Sequence, residues 1–121
     1  MLEQQYLSKE DCQTLLKFLK NLKKFATEVL KDNDIPKTIK NEFAEFDAEI
    51  IDSYTEVVEF ISKFDTEAIR ELLEGFCLVF DIYKKFLIKY KLKFQKYGID
   101  QHITEVEDSL HIVKKALSKE I

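Results

Sequence analysis

Apolar side chains recur every three or four residues along nearly the whole chain, the spacing that gathers them on one face of an α-helix. Cys12, Leu15, Leu16, Leu19, Leu22, Ala26, Val29 and Leu30 form the first such stripe, widened by Phe18 and Phe25. Ser8 stands before it as a cap with Asp11 three residues on, and Leu7 and Cys12 are placed to staple the entry. The stripe predicts a helix from there to about Lys31, about 24 residues and about 36 Å long. The run Asp32-Asn33-Asp34-Ile35-Pro36 ends it with turn formers and a proline suited to the first turn of the next helix.

A second predicted helix carries Ile39, Phe43, Phe46, Ile50, Tyr54, Val57, Ile61 and Phe64 on one face. Asp65 reads as a cap, and Thr66, Glu67 and Ala68 open a third helix almost at once, which forces antiparallel neighbours. That third helix keeps Ile69, Leu72, Leu73, Phe76, Val79, Phe80, Tyr83, Leu87, Tyr90, Phe94 and Tyr97 in register, with Gly98 as its stop. Gly75 inside it marks a kink or a close contact. A fourth helix starts at Asp100 or Thr104 and presents Ile103, Val106, Leu110, Val113 and Leu117.

One passage departs from this period. Lys89-Tyr90-Lys91-Leu92-Lys93-Phe94 alternates with period two, a strand signature. No other segment alternates comparably, so a strand here would have no partner for its backbone groups, and helix is the expectation. The predicted fold is therefore all-α: one domain spanning 1–121, an antiparallel up-down-up-down four-helix bundle with short connections and the third helix longest.

Composition narrows the class. The chain has 121 residues, two glycines and one proline, 45% hydrophobic and 35% charged, enough to bury a core without staples. Its longest apolar run, Phe76-Cys77-Leu78-Val79-Phe80, is cut by Asp81, far short of the roughly 20 residues of a membrane span. The first residues carry no basic flank and apolar core of an export signal, so a cytoplasmic location is expected, with Cys12 and Cys77 reduced. A net charge of −4 implies no bulk affinity for nucleic acid or acidic membranes.

Charge patterning singles out two surfaces. Glu42, Glu45, Glu49, Asp52, Glu56 and Glu59 are spaced 3, 4, 3, 4, 3 and form one acidic row on the second predicted helix. The row could dock a basic partner or ligate a hard cation. The simpler expectation places Asp52, Glu49 and Glu45 level with Lys17, Lys20 and Lys24 of the first helix. The third helix ends in Lys84, Lys85, Lys89, Lys91, Lys93 and Lys96, interleaved with aromatics, a composition that could grip a phosphate backbone. Its aromatics fall on the core stripe, however, and its lysines scatter.

A second apolar stripe on the third helix points elsewhere. Leu78, Ile82, Ile88 and Leu92 lie opposite Phe76, Tyr83 and Tyr90, with Asp81 and Lys85 spaced to pair among them. A helix apolar on two sides in so small a bundle implies a contact with another chain. Wrapping by Leu2 and Tyr6 is the alternative.

Catalytic and metal motifs are missing. There is no Walker loop, paired-cysteine zinc motif or nucleophile–histidine arrangement near a turn. The sole arginine, Arg70, leaves few anchors for anionic substrates. Glu107 and Asp108 precede His111 by one turn, a geometry compatible with a metal ligand pair. Di-iron bundles instead use Glu-x-x-His pairs, which the chain lacks, and His111 falls off the core stripe. His102 reads as an ordinary helix-start residue and Asp47 as a half-exposed flank residue. The expected function is a non-catalytic intracellular interaction protein, a homodimer or accessory subunit, with no cofactor. Nucleic-acid binding through the lysines and metal binding through carboxylate and histidine are the alternatives.

Overall fold

A computed structural model of the chain describes residues 7–46 and 48–118, with the side chains of residues 48–50 and 62 not described. The described chain is helical with no strand. Leu2, Tyr6 and Asp47, and the side chains of Glu49 and Ile50, lie outside what is described.

Helix α1 (Lys9–Lys31) starts at the expected cap, where the Asp11 amide donates to Ser8 Oγ at 3.0 Å. It buries Leu15, Phe18, Leu19, Leu22, Phe25, Ala26 and Val29. Leu30, expected on that stripe, points outward instead and is exposed. The chain then turns through Asp32–Pro36, with Ile35 buried, and the Pro36 carbonyl accepts from the Ile39 and Lys40 amides.

The predicted second helix is not continuous. It divides into α2 (Lys37–Phe43) and α3 (Ala48–Glu59) around a turn at Ala44–Phe46, where the Phe46 amide donates to the Phe43 carbonyl at 2.9 Å. Such an i→i+3 turn brings positions three apart onto one side. Phe43 and Phe46 can then both reach α4 (Thr66–Lys89), with Phe43 5.4 Å from Phe86 and Phe46 5.0 Å from Tyr83 between ring centroids. Beyond the break, Ile51 and Val58 are buried and Tyr54 and Val57 only half so. Phe64, expected inside, is exposed in the link that follows a short 3-10 turn at Ile61–Lys63.

Asp65 caps α4 as expected, its carboxylate accepting from the Ala68 amide at 2.8 Å. Helical hydrogen bonding continues through Gly75. The expected close contact is present: a Cβ at Gly75 would stand 3.2 Å from the Tyr54 hydroxyl oxygen. The α-helix stops at Lys89, and Lys91–Tyr97 forms a 3-10 helix rather than a further two turns of α. The period-two passage is thereby neither strand nor α-helix. In a 3-10 helix positions three apart eclipse, which buries Phe94 and half-buries Tyr97 while Leu92 faces out. At 24 residues, α4 exceeds the 23 of α1 by one only.

Gly98 reverses the chain with φ 67°, and α5 (Ile99–Ser118) begins directly after it. Helix α5 packs along α4 and against α1, while α1 also packs on α3. Contacts of Tyr83 with His102, Lys84 with Glu107 and Lys91 with Asp100 show that α4 and α5 run antiparallel. Four unbroken helices are thus not what the sequence makes: the described residues form five α-helices and two 3-10 helices. Their buried side chains form one core cluster, dense in aromatic rings around Phe18, Phe76 and Phe80. No described helix is long and apolar enough to cross a membrane.

Candidate functional site

The inward side of α4 carries Ile69, Leu73, Phe76, Phe80, Tyr83 and Leu87, all essentially inaccessible. At 100° per residue, Leu78, Asp81, Ile82, Lys85 and Ile88 fall within an arc of about 120° on the opposite side. Leu78 is 66% exposed, Ile82 51% and Ile88 52%, and Leu92 on the following 3-10 helix is 84% exposed. Asp81 and Lys85 meet at 3.4 Å on the same ridge, one turn apart. The structure thus brings Leu78, Ile82, Ile88, Asp81 and Lys85 together on one helix, with Leu92 beyond its end. The N-terminal half of the same ridge is charged, with Glu67, Glu71 and Glu74 exposed. The apolar stretch is therefore confined to the last three turns.

The six lysines do not form an open cationic strip. Lys84 pairs with Glu107 at 3.2 Å, Lys85 with Asp81, Lys89 with Glu42 at 3.7 Å and Lys91 with Asp100 at 2.8 Å. Lys96 lies 2.7 Å from Asp32 and 3.8 Å from Asp34. Among the described residues only Lys93 of the six has no ion-pair partner. Tyr97 also donates to the Asp32 carboxylate. Hydrogen bonds from Lys96 first, then Tyr97 and the Asp34 amide, hold that carboxyl far below its ordinary range.

The acidic row is likewise broken, because the turn at Ala44–Phe46 lies inside it. Glu42 turns onto the end of α4, accepting from the Tyr90 hydroxyl at 3.0 Å, while Asp52 meets Lys23 at 3.0 Å. Lys17, expected opposite Asp52, is not its partner; Lys23 takes that place. Glu45, Glu56 and Glu59 are exposed.

His102 is the residue the sequence reading underrated. It is 4% exposed, its ring stacked on Phe25 at 4.4 Å. Nε2 lies 2.7 Å from the Tyr83 hydroxyl and Nδ1 3.5 Å from Glu105 Oε1. The carboxylate can only accept, so Nδ1–H donates to Glu105 and Nε2 accepts from Tyr83. Asn21 of α1 donates to the other Glu105 oxygen at 2.7 Å, completing a chain from α4 through α5 to α1. Burial lowers the His102 pKa against the opposing pull of Glu105, and burial drives the Tyr83 phenol well above its ordinary value. A signal was present in the sequence: positions 102, 106, 109, 113 and 116 repeat at four- and three-residue spacing, and all are buried.

A groove of about 250 Å³ opens beside this chain between α1 and the start of α5, lined by Asn21, Lys24, Glu28, Gln101, His102 and Glu105 among others. Both His102 nitrogens are already engaged, so the ring offers the groove neither a free lone pair nor an uncommitted proton. His111 is exposed, and Glu107 beside it is held by Lys84. No three His, Cys, Asp or Glu side chains among the described residues group as a metal site. Cys12 and Cys77 are free thiols, half-buried, with burial the main influence raising both pKa values. No family model, curated protein or solved structure matches the chain. Its functional reading rests on its own residues.

Proposed function

We propose that this protein is a non-catalytic, intracellular helical interaction protein that docks a second copy of itself or a subunit of a larger complex on the outer side of α4. The observation that carries this reading is the exposure of Leu78, Ile82, Ile88 and Leu92 on a helix whose inner side already fills the core. Removing a large aliphatic side chain from water is worth about 1.5–3 kcal/mol, so a partner covering several of them gains a useful driving force. Asp81 and Lys85 set alignment more than affinity, and the exposed Glu45, Glu56 and Glu59 bias encounter with basic surfaces. The two free thiols fit a reducing compartment. The fully engaged His102 fits a role as a structural pin between helices.

The test is to replace Leu78 and Ile88 together by glutamate. Both residues are exposed, so helicity by circular dichroism should be retained. Self-association in sedimentation, or recovery of a native partner from lysate, should be lost. Unchanged sedimentation together with unchanged partner recovery would end the proposal.

A further inference from the structure

The outer ridge of α4 has the same spacing read in either direction, with apolar ends and opposite charges exchanged about its centre. Leu78, Asp81, Lys85 and Ile88 are spaced 3, 4, 3, the spacing of a coiled-coil seam. They are also symmetric about residue 83: Leu78 and Ile88 lie five residues either side of it, Asp81 and Lys85 two residues either side. When two such helices pack antiparallel about a two-fold axis at that height, each position faces its mirror position on the other helix. Leu78 then meets the second copy's Ile88, and Asp81 the second copy's Lys85, with both contacts made twice. Ile82, on the flank, approaches its own counterpart near the axis. Apolar layers close the two ends, and opposite charges face each other in the middle.

We infer that α4 pairs antiparallel with α4 of a second copy of this chain, in the register that sets Leu78 against Ile88 and Asp81 against Lys85. This rests on the docking reading above and names its partner. Charge selects the orientation. In a parallel pair Asp81 would face Asp81 and Lys85 would face Lys85, a like-charge juxtaposition at both central layers. The antiparallel pair converts the same four charges into two complementary contacts. The ridge is accessible for this, since its apolar members are at least half exposed and its ion pair lies within the helix itself. A foreign partner would need only complementarity to this ridge; it would not require the ridge to complement itself.

The experiment follows sedimentation of the full chain as wild type, Asp81→Lys, Lys85→Asp, the double variant, and a one-to-one mixture of the two single variants. The wild type should dimerise with concentration. Each single variant, now facing its copy with like charges, should dissociate at least about tenfold more readily. Mixing the singles should restore the dimer, because an all-lysine centre then meets an all-aspartate centre. The double variant should also recover. A foreign partner with fixed charges would reject the double variant.

Cysteine trapping gives a second measurement, in a background with Cys12 and Cys77 replaced by alanine. Leu78→Cys combined with Ile88→Cys should crosslink to a dimer on mild oxidation, and Leu78→Cys alone should not. A wild type that stays monomeric at all concentrations overturns the self-pairing. In that case, partner recovery that still depends on Leu78 and Ile88 would leave the docking reading standing. Single variants that dimerise as wild type, or a mixture that stays monomeric, overturn the register.

Discussion

Gly75 shows how one residue can be held by its neighbour and not by its own helix. Alanine there should favour helix by about 1 kcal/mol. Its Cβ would stand 3.2 Å from the Tyr54 hydroxyl oxygen, closer than van der Waals contact, so the ring must give way. Deleting that oxygen separates the two effects. In a Tyr54→Phe background, Gly75→Ala should raise stability by about 1 kcal/mol in urea unfolding, and in the wild type by distinctly less. Equal gains in both backgrounds would show that the contact exerts no constraint.

At the scale of elements, the link from α4 to α5 depends on a single backbone conformation. Gly98 ends the 3-10 helix in the left-handed region, φ 67° and ψ 42°, and its carbonyl accepts from the His102 amide at 3.1 Å to open α5. Nothing lies within 4 Å of a Cβ built there, so a substitution meets backbone strain and no clash. Gly98→Ala should therefore destabilise by about 1–2 kcal/mol, and Gly98→Asn by less. Thermal unfolding of the two variants measures the difference. If alanine and asparagine prove equally harmless, the left-handed turn is not what joins these helices. The neighbouring contacts of Lys91 with Asp100, Lys96 with Asp32 and Tyr97 with Asp32 tie the same link to α5 and to the end of α1.

The molecule as a whole is joined across three helices by the chain Tyr83–His102–Glu105–Asn21, and the burial of His102 within it gives its stability a pH signature. Folding holds the His102 pKa below its ordinary 6.5. Below that value the unfolded chain binds a proton that the folded protein resists, so stability falls on acidification, beginning near pH 6.5 and ceasing once the folded pKa is passed. The slope is at most about 1.4 kcal/mol per pH unit. Tyr83 remains a neutral donor throughout, and Asp32, with its lowered pKa, contributes to a separate loss beginning below about pH 4. Unfolding free energies from pH 7.5 to 5 should show the fall, and His102→Gln should flatten it. An NMR titration placing the folded His102 pKa at or above 6.5 would contradict this account.

Helical class, the caps at Ser8 and Asp65, the inner face of α4 and its apolar outer stripe were all legible in the chain. Each depends on near neighbours: a side chain one turn from an amide, or a face repeated every three to four residues. The turn at Ala44–Phe46 was not legible, because it forms where Phe43 and Phe46 can both reach Tyr83 and Phe86 on a distant segment. The 3-10 helix at Lys91–Tyr97 likewise reflects where Phe94 and Tyr97 find partners on α1 and α2. His102 became a buried junction only once Phe25, Tyr83 and Glu105 surrounded it, and Lys84, Lys89, Lys91 and Lys96 found their acids only on other elements. Local periodicity alone determined that this chain forms amphipathic helices. Where those helices break, and which polar groups pair between them, only tertiary contact decided, because burial and inter-helix ion pairing are settled by residues far apart in sequence.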